Sequence, residues 1–185
     1  MPSPQLLARP GASPNHLASL PRMSKNGNES ISRQCGGLIP QSHSRIICST
    51  KRRQSWLSDR TLRGEMQGVL GALCNSLGCP LVLVGGVEDH VHIACHLGRT
   101  RTVADLIKEL KRESSQWAKE KSPSLRDFEW QSGYGAFSIS PSHVESLVQY
   151  IRNQEEHHRQ ESFQDELRRI LAKNNLEWDE RYLWD

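Results

Sequence analysis

Three histidines fall within seven residues of an apolar run, in the stretch "EDHVHIACH" at positions 88–96. If this stretch is a strand, His90 and His92 point to the same face, with Cα atoms roughly 6.6 Å apart. Two imidazoles at that separation can converge on one metal ion. His96 would share the face but lie about 13 Å beyond His92, too far to reach the same ion. A strand edge with solvated histidines is the alternative.

A tyrosine and a glutamine stand four residues apart in "LVQYIRNQEEHH" at positions 147–158. On a helix, Tyr150 and Gln154 face the same side, with roughly 6 Å between their Cβ atoms. An oxygen ligand from Gln154 beside two imidazoles would suit Mg²⁺ or Mn²⁺ and would hold Tyr150 next to the ion. The ordinary pKa of a phenol is about 10, so such a tyrosine needs a metal that polarises its target phosphate. The alternative is a half-buried tyrosine beside an exposed glutamine.

The remaining patterns predict the elements that would position these residues. Alternating and apolar runs predict strands at 44–49, 80–86, 90–97 and 134–140. Helical spacing predicts helices at 58–78, 102–121 and 163–171, and a further helix that begins at Ser142 and includes 147–158. Thr102 with Asp105 and Ser142 with Glu145 resemble capping boxes that begin two of the helices. The order β-α-β-β-α-β-α predicts an α+β, ferredoxin-like split βαβ fold. Its antiparallel sheet carries helices on one face, plus a C-terminal tyrosine-bearing helix.

The chain of 185 residues divides by composition. Residues 1–38 are rich in Ser, Pro, Asn and Gly without a period, which predicts a disordered extension before one folded domain at 39–185. Residues 1–38 hold four basic residues and one acidic residue, so they carry the whole net charge of +3. Bulk charge therefore does not mark the folded part as a nucleic-acid binder. Two local clusters of cations, in 49–54 and 99–112, fit either nucleic-acid contacts or a solvated surface.

Several classes of protein are disfavoured by what the sequence lacks. It contains no GxxxxGK[ST] or GxGxxG motif, which argues against a nucleotide cofactor. No apolar run approaches the roughly 20 residues that span a bilayer, and the N-terminus has no apolar secretory segment. The five cysteines form no CxxC pair, which suits a reducing cytoplasm.

Taken together, the two chemical patterns resemble one family. A His-hydrophobic-His strand followed by a Tyr-x-x-x-Gln helix is similar to the single-tyrosine HUH transposases, the insertion-sequence 200-like TnpA family that includes the REP-associated tyrosine transposases. The resemblance covers about residues 40–185. The matching stretches are "GGVEDHVHIACHL", "WQSGYGAFSISPSHVESLVQYIRNQEEHHRQESF" and "DERYLWD".

The resemblance implies an enzyme that cleaves and rejoins single-stranded DNA with hairpin ends, without ATP, in the bacterial cytoplasm. His90, His92 and Gln154 would hold Mg²⁺ or Mn²⁺. Tyr150 would attack a DNA phosphate, leaving a 5′-phosphotyrosine and a free 3′-OH. The family also implies a homodimer in which the tyrosine helix of one chain completes the site of the other. The residues expected to contact the DNA backbone are Lys51, Arg52, Arg53, Lys108, Lys111 and Arg112.

Two other functions remain open. The stretch "SRIICS" (44–49) is shorter than the family's first strand, so the chain could be an inactive DNA-binding relic or regulator. The second alternative is a divalent-metal phosphohydrolase in which Tyr150 is structural. Tyr134 and Tyr182 are rival nucleophiles, but neither is followed four residues later by a residue that could ligate a metal. Asp89 fits either a hairpin turn or a contact to a metal-binding histidine.

Overall fold

The structure is a computed structural model that describes residues 42–180, so the extension expected at 1–38 and the tail residue Tyr182 lie outside it. The strands are β1 (Ser42–Ser49), β2 (Leu81–Gly86), β3 (His90–Leu97) and β4 (Gly135–Ile139). The helices are α1 (Arg60–Ser76), α2 (Val103–Lys121), α3 (Val144–Arg152), α4 (Gln154–His157) and α5 (Phe163–Lys173). No helix in 42–180 is both long and apolar enough to cross a membrane.

The four strands form one antiparallel sheet in the order β2-β3-β1-β4, which confirms the ferredoxin-like prediction. β1 lies in the centre and begins two residues earlier than predicted. It pairs with β3 along its whole length, from Ser42 opposite Leu97 to Ser49 opposite His90. The first strand is therefore as long as its neighbour, and this pairing gives no support to the idea that it is too short for the fold.

Side chains of the central strands alternate between two packed faces. On one face, Ile46, Val91 and Ile93 are buried against α1 and α2, as predicted. On the other face, Ile47 packs against apolar residues of α5, and Ala94 packs against α3. The tyrosine-bearing helix and α5 thus cover the face toward which His90 and His92 point.

Two helix starts illustrate how local sequence controls the fold. Thr102 accepts a hydrogen bond from the Asp105 amide and caps α2, as the capping-box prediction required. The matching prediction for Ser142 is wrong. Pro141 begins a short 3₁₀ turn at 141–143, and the Ser142 hydroxyl contacts Ser140 instead of capping α3.

The single helix predicted at 147–158 is divided in the structure. α3 ends at Arg152, and Asn153, with φ −95° and ψ 18°, separates it from the four-residue α4. α3 also approaches β2 closely at Gly85, where a Cβ would lie 2.9 Å from the Ile151 carbonyl oxygen. Only glycine permits this approach, so Gly85 helps to set the position of the tyrosine helix above the sheet.

Candidate metal centre and tyrosine

His90 and His92 of β3 are completely buried, and their ring centroids are 5.0 Å apart. His90 Nδ1 lies 2.8 Å from Asp89 Oδ1. A carboxylate only accepts hydrogen bonds, so His90 donates through Nδ1 and its Nε2 lone pair faces the site. Asp89 therefore orients His90. Arg53 in turn holds the Asp89 carboxylate through its Nε, at 2.9 Å.

The structure brings Gln154 to this histidine pair. Its side chain is buried, and its Oε1 atom lies 3.3 Å from His90 Nε2. Gln154 and Tyr150 lie on consecutive helices and not on one continuous helix, but both side chains still reach the same region. The prediction that Tyr150 and Gln154 lie close together is therefore confirmed, and the prediction that one continuous helix carries both is wrong.

A fourth donor, Glu166 of α5, was not predicted from the sequence. Its Oε1 atom lies 3.4 Å from His92 Nε2, and its Oε2 atom lies 3.8 Å from His90 Nε2. Ligand atoms of His90, His92 and Glu166 all lie within 4.8 Å of one another. Glu166 is 1% exposed, so it is a buried acid directed at two imidazoles.

Glu166 also receives three hydrogen bonds from other elements. The Tyr150 hydroxyl donates to its Oε1, Arg45 Nη2 lies 3.0 Å from the same atom, and His158 Nε2 lies 3.0 Å from Oε2. Burial alone would raise the pKa of the Glu166 carboxyl. The hydrogen bonds from His158 and from the Tyr150 hydroxyl outweigh burial and hold that pKa well below its usual range. Glu166 is therefore a carboxylate at neutral pH.

Tyr150 is held against the site by several contacts. The Arg45 guanidinium lies 4.7 Å from the centre of its ring, and the His157 ring stacks on it at 4.8 Å. Arg169 Nη2 lies 3.4 Å from the hydroxyl oxygen. Burial and the hydrogen bond to Glu166 raise the pKa of Tyr150, so the residue is a neutral phenol in this state. All these contacts are made within one chain.

The donors fit a divalent metal ion. Burial lowers the pKa of both His90 and His92, and the nearby Arg45 cation lowers the pKa of His92 further. Both imidazoles are therefore neutral, which is the form that binds metal. His92 Nε2 is buried and has no hydrogen-bond partner within residues 42–180. Two imidazole nitrogens, a carboxylate and an amide oxygen make a mixed set that Mn²⁺ accepts, whereas Mg²⁺ prefers oxygen.

The position of Arg45 opposes metal binding through His92 Nε2. Its Nη2 atom lies 3.2 Å from His92 Nδ1 and can only donate there. A neutral His92 then carries its proton on Nε2, the atom that faces Glu166. Metal binding through Nε2 would require the proton on Nδ1, and Arg45 would then have to release its contact with His92 Nδ1.

The cations predicted to contact DNA are mostly engaged by the protein itself. Lys51 pairs with Glu129, Arg53 holds Asp89, and Lys111 donates to the backbone carbonyls of residues 131–133. Arg112 pairs with Glu109 and Glu113. Arg52 and Lys108 are exposed. These positions remain predictions for DNA contact.

The remaining predicted candidates lie away from the site. The His96 ring packs at 4.2 Å against His43, at the far end of β3 from His90. Tyr134 is 46% exposed, and Lys111 Nζ lies 5.6 Å from its ring centre. Neither side chain forms a hydrogen bond, an ion pair or a ring contact with His90, His92 or Glu166. Among the described tyrosines, Tyr150 is thus the one placed beside the histidine pair.

The observed fold and the matching family model indicate the same class of protein. The structure is an α+β fold with a four-stranded antiparallel sheet, as in tyrosine transposases. The family model described as "Transposase IS200 like" matches residues 39–154. The chain belongs to the IS200-like transposase family, which confirms the resemblance drawn from its motifs.

Two solved structures share the fold. One is a protein from Deinococcus radiodurans R1, provisionally described as a transposase. It is 23% identical, with a TM-score of 0.51, over 66% of this chain and 97% of that one. The other is a REP-associated tyrosine transposase bound to a REP hairpin. It is 14% identical, with a TM-score of 0.50, over 69% of this chain and 74% of that one. The comparison with curated proteins gave no match.

Proposed function

We propose that this transposase cleaves and rejoins single-stranded DNA by transesterification, with Tyr150 as nucleophile. One observation carries the proposal. The Tyr150 hydroxyl donates a hydrogen bond to Glu166 Oε1, and the same oxygen lies 3.4 Å from His92 Nε2. A phosphate bound through a metal ion at these residues would therefore lie beside the tyrosine oxygen. Membership of the IS200-like family supports this assignment.

The chemistry exchanges one phosphodiester bond for another. The Tyr150 oxygen forms a bond to phosphorus while the bond from phosphorus to the 3′ oxygen breaks. The phosphate remains on the 5′ side as a phosphotyrosine, and the departing 3′ oxygen takes up a proton. Glu166 Oε1 is the acceptor in place for the phenol proton. Attack by another 3′-OH reverses the steps and rejoins the strands without ATP.

His90, His92, Gln154 and Glu166 would hold Mg²⁺ or Mn²⁺. When bound, the ion would polarise the phosphate and stabilise the charge that develops on it. Asp89 keeps the His90 Nε2 lone pair directed at the site, and the buried surroundings of His92 exclude water from its ring. The inclusion of Glu166 adds a carboxylate to the set expected from the sequence.

We propose single-stranded DNA with hairpin ends as the partner and the bacterial cytoplasm as the location. The REP hairpin in one of the solved structures supports a hairpin substrate. A homodimer remains part of the proposal. Because Tyr150 contacts the site of its own chain, we propose that each chain of such a dimer carries a complete site.

The test uses end-labelled single-stranded hairpin DNA with Mg²⁺ or Mn²⁺. We expect a covalent protein–DNA adduct that survives denaturation, requires the metal, and is absent in Tyr150→Phe. Cleavage that persists in Tyr150→Phe would identify a phosphohydrolase and overturn the proposal. Binding without cleavage by a folded protein would identify an inactive relic. Tyr134→Phe is the matched control and should form the adduct normally.

A further inference from the structure

Four arginines border a groove beside the candidate site. The groove has two parts that share Arg60, Arg63 and Glu155 in their walls. The smaller part, of about 290 Å³, also includes Arg159. The larger part, of about 370 Å³, also includes Arg152. This arginine groove is formed by α1, the end of β2, the β2–β3 turn with Glu88, and residues 151–159.

The arginine groove shares walls with the metal centre. Gln154 lines the larger part, and its Oε1 atom lies 3.3 Å from His90 Nε2. His158 lines the smaller part, and its Nε2 atom lies 3.0 Å from Glu166. A polyanion lying in the groove would therefore be next to Gln154, a proposed metal ligand, and to His158, which contacts Glu166.

A single carboxylate lies between two of the arginines. Arg60 Nη2 lies 2.7 Å from Glu155 Oε2, and Arg63 Nη2 lies 2.6 Å from Glu155 Oε1. Arg63 is anchored, because its Nη1 donates to the Leu57 carbonyl and its side chain is only 10% exposed. Arg60 is 77% exposed. Two arginines could bind the two non-bridging oxygens of a phosphate in the same way, with one guanidinium on each oxygen.

We infer that the arginine groove binds the phosphodiester backbone of the single strand that enters the site, and that Glu155 occupies a phosphate position until DNA displaces it. The inference rests on the proposed function and adds the route by which the substrate approaches. It differs from the sequence prediction, which placed the DNA contacts on Lys51–Arg53 and α2. The anchored Arg63 supplies a preformed contact, and Arg60 is free to move with the backbone.

If a DNA phosphate displaces Glu155, two variants should change DNA affinity in opposite directions. Arg60→Ala removes a phosphate contact, whereas Glu155→Gln removes the competing charge and keeps the shape of the side chain. The matched controls are Arg126→Ala and Asp127→Asn, from an exposed ion pair outside the groove. Binding of a fluorescent single-stranded hairpin is measured by anisotropy at several salt concentrations, with every variant made in Tyr150→Phe so that no strand is cleaved.

We expect Arg60→Ala to weaken binding about three- to tenfold and to reduce the slope of log affinity against log salt by about 0.7. Glu155→Gln should strengthen binding between about two- and tenfold, and the controls should match the parent. Unchanged binding in Arg60→Ala, or weaker binding in Glu155→Gln, overturns this inference while leaving the proposed function intact. A parent protein that folds but binds no single-stranded DNA overturns both.

Discussion

The Tyr150 hydroxyl donates a hydrogen bond to the Glu166 carboxylate, which lies sixteen residues later in the chain and on a different helix. This bond joins the proposed nucleophile to the proposed metal ligands, because Glu166 also faces His90 and His92. Glu166 thereby sets both the charge of the site and the position of the tyrosine oxygen.

Glu166→Gln should lower the affinity for Mn²⁺ by about 10- to 100-fold, because a neutral amide replaces a buried anionic ligand. Isothermal titration with Mn²⁺ measures the affinity without relying on activity. Glu145→Gln, at an exposed position on α3, serves as the control and should bind like the wild type. Equal affinities in wild type and Glu166→Gln would contradict the assignment of Glu166 as a ligand.

Arg45→Gln should strengthen Mn²⁺ binding. The guanidinium repels a cation and holds His92 in the tautomer that cannot bind through Nε2. Arg45→Lys keeps the charge and should show little gain, so the pair separates charge from shape. The same titration, supported by the rise in melting temperature on adding Mn²⁺, provides the measurement. Weaker binding in Arg45→Gln would mean that Arg45 supports the metal site.

Gly85→Ala should destabilise the protein by about 1–3 kcal/mol, because the added methyl group meets the backbone of α3. Its Cβ would lie 2.9 Å from the Ile151 carbonyl oxygen. Gly68→Ala is the control, since nothing lies within 4 Å of its Cβ, and it should gain roughly 0.5–1 kcal/mol as a helix position. Urea unfolding gives both values. An unchanged free energy of unfolding in Gly85→Ala would show that α3 can shift without loss of stability.

Mixing Tyr150→Phe protein with His92→Gln protein should produce no covalent DNA adduct. The Tyr150 ring lies 6.1 Å from the His92 ring of its own chain, so each mixed dimer would contain two incomplete sites. The adduct is counted on a denaturing gel after the two proteins have been unfolded and refolded together. Recovery of the adduct would instead show that one chain's tyrosine helix serves its partner's site.

The histidine face could be predicted because it follows from local periodicity, and the ferredoxin-like sheet could be predicted from the order of the elements. Alternation along β3 sends His90 and His92 to one face and Val91 to the other. The break at Asn153 was missed, because no proline or glycine marks it in the stretch 152–158. A one-residue interruption of this kind depends on tertiary contacts that periodicity does not encode.

Glu166 was missed although the sequence contains a signal for it. Phe163, Leu167 and Ile170 form the buried side of α5, and Glu166 lies on that same side. An acid inside an apolar helical stripe needs a buried partner, whereas an acid on the polar side does not. The ion pairs and hydrogen bonds of the residues predicted to contact DNA could not be foreseen for a different reason. The partners of Lys51, Arg53 and Lys111 come from distant segments, and composition alone does not reveal them.

The most direct test of the account is to map the covalent attachment. The full-length protein is incubated with Mn²⁺ and single-stranded hairpin DNA, treated with nuclease and protease, and analysed by mass spectrometry. The account predicts a peptide that carries a nucleotide phosphate on Tyr150, with Tyr134 unmodified. Attachment to any other residue, or metal-dependent cleavage with no attached nucleotide, would contradict it.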